Sequence, residues 1–188
     1  MNAILEVWTR LTAEDDLRTI AGQYRLPQAL LWIVVSALLS ALIAGGSVLL
    51  LLPPGSRDII ITLMVGWTVV VVAGFAANVV IWYVAGQIVG DGPVRLAQVA
   101  VLQGALMAPL IPVLVIINVV VGGLSAFGVV LALGMLMYTG FVAVRALHAL
   151  PLGRALAAAG IALLGVLVLA AIGGLLVIPQ IIDPTGPQ

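Results

Sequence analysis

Residues 59–85 read IIITLMVGWTVVVVAGFAANVVIWYVA, and none of them carries a charge. Crossing about 30 Å of hydrocarbon takes about 20 helical residues, so this stretch is long enough with some to spare. Four further stretches, at 29–52, 99–121, 126–144 and 155–178, are equally free of charge. An isolated strand cannot satisfy its backbone groups in lipid, and the ten-residue polar/apolar alternation of a barrel is missing. The expected fold class is therefore all-α: a polytopic membrane protein with five transmembrane helices.

The connections carry the turn formers. Pro53-Pro54-Gly55-Ser56-Arg57-Asp58, Gly90-Asp91-Gly92-Pro93, Gly122-Gly123 and Leu150-Pro151-Leu152-Gly153-Arg154 each interrupt the apolar pattern. The chain divides into an amphipathic cytoplasmic or interfacial segment (1–26), a transmembrane domain (27–180) and a short periplasmic tail (181–188).

Composition agrees with this division. Hydrophobic residues make up 64% and charged ones 7%, against about 25% charged in a soluble domain. Net charge is zero, so the clustered positive charge that a nucleic-acid partner demands is missing. The absence of Cys rules out disulfides and thiolate chemistry. Near the start, Glu14, Asp15 and Asp16 stand where a cleavable signal would be basic and then apolar, which argues against one.

Arginine placement sets the expected orientation. Arg10, Arg18, Arg25, Arg95, Arg145 and Arg154 fall on one side of the five spans, and Arg57 on the other. Because cytoplasmic loops collect basic residues, the N-terminus is placed in the cytoplasm and the C-terminus in the periplasm of a bacterial inner membrane. Tyr24, Trp32, Trp82, Tyr83, Tyr138 and Phe141 sit near the same inner headgroup level, where amphipathic rings are favoured.

Ahead of the first span, Ile4, Val7, Trp8 and Leu11 share one helical face, and Leu17, Ile20, Ala21 and Tyr24 share another. Thr12 followed by Asp15 resembles a capping box between two short helices. An interfacial helix on the membrane surface is the expected reading. Docking onto a protein partner is the alternative, for which the acidic Glu14–Asp16 cluster argues mildly, since anionic lipid repels it.

Few side chains could carry chemistry. His148, the single histidine, is expected at the inner end of the fourth span as a loop or interfacial residue, with a titrating or binding role as the alternative. Asp58, Asp91 and Asp183 lie in loops or the tail on both sides of the membrane. No catalytic residue, metal site or cofactor is expected. Transport would call for ionisable groups at bilayer depth, and the spans hold only the amides Asn78, Gln103 and Asn118 as candidate intramembrane polar contacts. Antiparallel counting brings Asn78 and Gln103 to similar depths. We read them as interhelical glue, worth about 0.6–2 kcal/mol per bond; a polar cavity is the alternative.

Pro109 and Pro112 mark a candidate kink in the third span. Each removes a donor and crowds the carbonyl four residues earlier, at Ala105 and Ala108. A structural kink is expected, although transporters use broken helices to expose carbonyls to ions. Ser36, Ser40 and Ala44 form one small-residue ladder, Ala37, Ala41 and Gly45 its neighbour, and Gly86 with Gly90 a further step. These are candidate helix-packing faces, within the chain or between copies.

Several of these features together resemble the Yip1 family of bacterial membrane proteins. They are Leu26-Pro27-Gln28 opening the first span, Trp82-Tyr83-Val84-Ala85-Gly86 closing the second, and Gly90-Asp91-Gly92 with Leu96-Ala97-Gln98 leading into a third span that holds Gln103 and prolines. Arg145-Ala146-Leu147-His148-Ala149-Leu150 at the end of the fourth completes the set. Leu150-Pro151-Leu152-Gly153 stands where the family commonly places an aromatic. The resemblance implies five spans, a cytoplasmic N-terminus and a role in membrane organisation rather than catalysis. The expected function is a non-enzymatic scaffold or accessory subunit, partnered by the lipid bilayer and by other membrane proteins or by itself. The alternative is a small channel or transporter for a solute or lipid.

Overall fold

The structure, a computed structural model, describes residues 2–11, 13–49, 57–121 and 126–182. They form eight helices: α1 (Asn2–Thr9), α2 (Glu14–Gln23), α3 (Leu26–Leu49), α4 (Arg57–Val89), α5 (Leu96–Met107), α6 (Leu110–Val121), α7 (Ala126–His148) and α8 (Leu152–Ile182). There is no strand among the described residues. Five segments are long and apolar enough to cross a membrane: Leu26–Gly46, Asp58–Val89, Leu96–Val120, Val130–His148 and Leu152–Ala171. The chain is thus read as a multi-pass membrane protein. Thr12 of the expected capping box, the Pro53–Ser56 turn, Gly122-Gly123 and the tail with Asp183 lie outside the described residues.

Helix starts follow local chemistry. The sequences Arg25-Leu26-Pro27-Gln28 and Arg95-Leu96-Ala97-Gln98 open α3 and α5 in the same way. In each, the glutamine side-chain oxygen accepts the backbone N–H of the arginine three residues back, at 2.7 Å for Gln28 and 2.9 Å for Gln98. That contact caps a donor that the helix itself leaves unpaired. Pro27, in the first turn of α3, costs no hydrogen bond for the same reason. At the end of α7, Ala149 adopts φ 48° and Leu150 N–H donates to the Arg145 carbonyl at 3.1 Å. This left-handed closure is the one that usually selects glycine.

The third span is two helices. Pro109 has no N–H for the Ala105 carbonyl, and the chain breaks at Ala108 and Pro109 before resuming as α6. Pro112 falls in the first turn of α6, where a missing donor is tolerated. The two halves then take different neighbours. α5 packs on α3, α4 and α7, whereas α6 packs on α3 and α7 and makes no close backbone approach to α4.

α5 is the axis of the core. Apart from Gln98 at its start and the single amide Gln103 it is apolar, and Val99 to Met107 are buried without interruption, as expected of a helix with no polar face. α1 and α2 lie against it in the half of the bundle where α5 begins. Val7, Leu17, Ile20 and Ala21 are buried, with Ile4, Trp8, Leu11 and Tyr24 packed beside them. The two apolar faces of the N-terminal segment therefore rest on α5 and α7 of the same chain.

Small residues let the spans approach one another. Gly104 meets Ala29, where an added Cβ would stand 3.2 Å from the alanine methyl. Gly45 meets Met64 and Ile60 of α4, and Gly165 of α8 meets Ile81. Ser36, Ser40, Ala37 and Ala41 of α3 are buried, and Ala44 half-buried. Their ladders thus serve packing within the chain.

Candidate functional site

Asn78, Trp82 and the Gly86–Gly90 step lie at successive turns of α4 and meet Gln103, Gly140 and His148 of the helices facing it. Asn78 and Gln103 meet there: the Asn78 Nδ2 donates to the Gln103 Oε1 at 3.1 Å, and both residues are buried. The Gln103 Nε2 finds no acceptor among the described residues. One turn along α4, Trp82 is fully buried. Its indole lies against Gly140 of α7, where any Cβ would overlap the ring.

Another turn on, the Gly86–Gly90 step has a specific occupant. His148, at the end of α7, inserts its imidazole over both glycines. A Cβ at Gly86 would stand 2.8 Å from Nε2, and one at Gly90 would overlap Nδ1. Both ring nitrogens are buried, without a hydrogen-bond partner among the described residues. His148 is therefore a packed residue of the α4–α7 contact. Sequence spacing marked the two glycines and the histidine separately but could not join them across two helices.

The carbonyl released by Pro109 is occupied. The Trp8 Nε1 of α1 donates to the Ala105 oxygen at 3.1 Å. This carbonyl has no helical donor, because the residue four positions on is a proline, and burying it unpaired would be costly. The amides Asn78 and Gln103 pair with each other, and the indole of an amphipathic helix takes the carbonyl. The signal was present in the sequence as a proline inside an apolar run and a Trp on the buried face of α1.

α2 is fixed in a related manner. The Arg18 Nη2 donates to the Ala146 carbonyl at 3.2 Å, one of the last four of α7, where oxygens lack helical donors and a cation is favoured. Arg154 and Asp91 form an ion pair between the start of α8 and the loop after α4. Asn118 stays within its neighbourhood: its Nδ2 donates to Leu114 O at 2.9 Å, and its Oδ1 is buried against Gly128 of α7. Ser40 Oγ likewise donates to Ser36 O on its own helix, at 2.7 Å.

No family model, curated protein or solved structure matches the chain. The site must be read from its own geometry. Among the described residues no group of three or more His, Asp or Glu side chains could hold a metal ion. What the geometry offers is a packed half of the bundle in which Asn78 pairs with Gln103 and Trp8 with a backbone carbonyl. Trp82 Nε1, Gln103 Nε2, Asn118 Oδ1 and the His148 ring nitrogens are buried without a hydrogen-bond partner among the described residues.

Proposed function

We propose that this chain is a non-enzymatic, Yip1-like protein of a bacterial inner membrane, acting as a scaffold or accessory subunit of a larger membrane assembly. The observation that carries this reading is the internal pairing of Asn78 and of the carbonyl freed by Pro109. Asn78 is bonded to Gln103, and the Ala105 carbonyl to Trp8, so a conduction path would have to break bonds that hold α1, α4 and α5 together. The outward surface is apolar instead. The first half of α4 presents Ile59, Ile61, Leu63 and Val69, and the middle of α8 presents Leu164 and Leu167. These flanks suit lipid or the spans of other membrane proteins.

The experiment is purification from the native membrane in mild detergent, comparing the wild type with Asn78→Leu. The expected result is a co-purifying membrane protein that Asn78→Leu retains, because the amide pair acts as glue. The alternative, a small channel or transporter, draws on the unsatisfied Gln103 Nε2 and the broken third span. Solute flux through proteoliposomes of the chain alone, abolished by Asn78→Leu in a correctly folded protein, would overturn the scaffold reading.

A further inference from the structure

The break at Ala108 and Pro109 has a second effect, at some distance from the amide pair. α5 is held against α4, but α6 leaves it after the break, and a partly open cavity of about 370 Å³ lies between α4, α6 and α7. Gly74 and Phe75 of α4, Met107 and Leu114 on either side of the break, and Ala132 and Leu136 of α7 form much of its wall. Asn118 is the one amide on that wall. Its Oδ1 is covered and its Nδ2 is bonded to its own helix. Water needs two to four polar partners to stay in such a space, and this wall does not supply them.

We propose that the cavity holds one acyl chain of a bilayer phospholipid. Depth, length and volume each agree. The cavity is bounded by helices that cross the membrane, so the solvent at its mouth is hydrocarbon. Trp67 to Phe75 on α4, and Leu110 to Asn118 on α6, each run about 12 Å at 1.5 Å per residue. One leaflet of a hydrocarbon core about 30 Å thick supplies chains of about 15 Å. An apolar cavity of about 150 Å³ accommodates a six-carbon ring, so 370 Å³ is ample for a chain segment. The opening lies next to the proline break, and Val99 to Met107 of α5 are buried up to it.

The test is photolabelling of the full chain in phosphatidylcholine vesicles doped with a phosphatidylcholine bearing a diazirine near the acyl terminus, with labelled residues mapped by peptide mass spectrometry. Outward-facing Leu63, Val69 and Leu164 are labelled by any surrounding lipid and serve as the reference. The expected result is additional labelling of Met107, Leu114 or Leu136. Two variants then fill the cavity. A side chain at Gly74 meets open space, so Gly74→Leu adds bulk on the wall without a backbone clash, and Ala132→Leu does so from α7. Either folded variant is expected to lose the cavity-wall labels and keep the outward ones. Labels confined to the outward residues in the wild type would overturn the proposal, even if neither variant folded. So would cavity-wall labels that persist in a folded, filled variant.

Discussion

Ala149 shows how one residue can hold a fold below its attainable stability. Its φ of 48° places a Cβ in the left-handed region, at a cost of roughly 1–2 kcal/mol that glycine avoids. Ala149→Gly should therefore raise the unfolding midpoint in detergent micelles, by an amount equivalent to about 1 kcal/mol. The Leu150 closure bond stays in place, and an unchanged or lowered midpoint would count against the strain. Gly90 lies at the opposite extreme. Its missing Cβ is the space in which the His148 ring sits, so Gly90→Ala should separate α4 from α7 and destabilise by about 1–3 kcal/mol, as overpacked sites do. Adding His148→Ala to Gly90→Ala should recover part of that loss, and denaturant titration of the double variant checks it.

Among the elements, α5 depends most on its neighbours, and its coupling to α1 can be measured. Trp8→Phe keeps the aromatic packing but leaves the Ala105 carbonyl without its donor, for an expected loss of about 1–3 kcal/mol. In a Pro109→Ala background residue 109 regains an N–H for that carbonyl, and Trp8→Phe should then cost close to nothing. A double-mutant cycle reads the difference as a coupling energy, and additive effects would show that the indole bond contributes nothing. Parts of this element were legible in advance. Pro109 and Pro112 foretold a kink in the third span, which the structure shows as a break between α5 and α6. The identity of the capping group was not legible. A carbonyl deprived of its donor accepts any donor that packing brings near, and only tertiary structure selects Trp8 over the amides of Asn78 and Gln103. The helix-start bonds of Gln28 and Gln98 were readable in principle, since Arg-Leu-x-Gln occurs at both starts, but a capping box is usually sought behind Ser or Thr.

For the whole molecule, five apolar helices follow from hydropathy because lipid leaves the backbone no other way to pair. The N-terminal faces at Ile4–Leu11 and Leu17–Tyr24 were legible as faces. Their placement on α5 and α7 was not, because periodicity says which side is apolar and not what covers it. Orientation is predicted from arginine placement. A reporter fused after Gln188 should read as periplasmic, and one inserted between Gly90 and Arg95 as cytoplasmic. A cytoplasmic signal from the C-terminal fusion would mean an even number of crossings.

The bond between Trp8 and Ala105 joins residues 97 positions apart, and that separation sets an order of events during synthesis. At about 5–20 residues per second, the ribosome adds the Ala105 acceptor roughly 5–20 seconds after Trp8. The third span is then only partly synthesised. During that interval the apolar faces of α1 and α2 have no α5 to cover them. Chains arrested on the ribosome before Ala105 has emerged should remain open to proteolysis near Trp8. Protection should appear only when arrest is moved past α6.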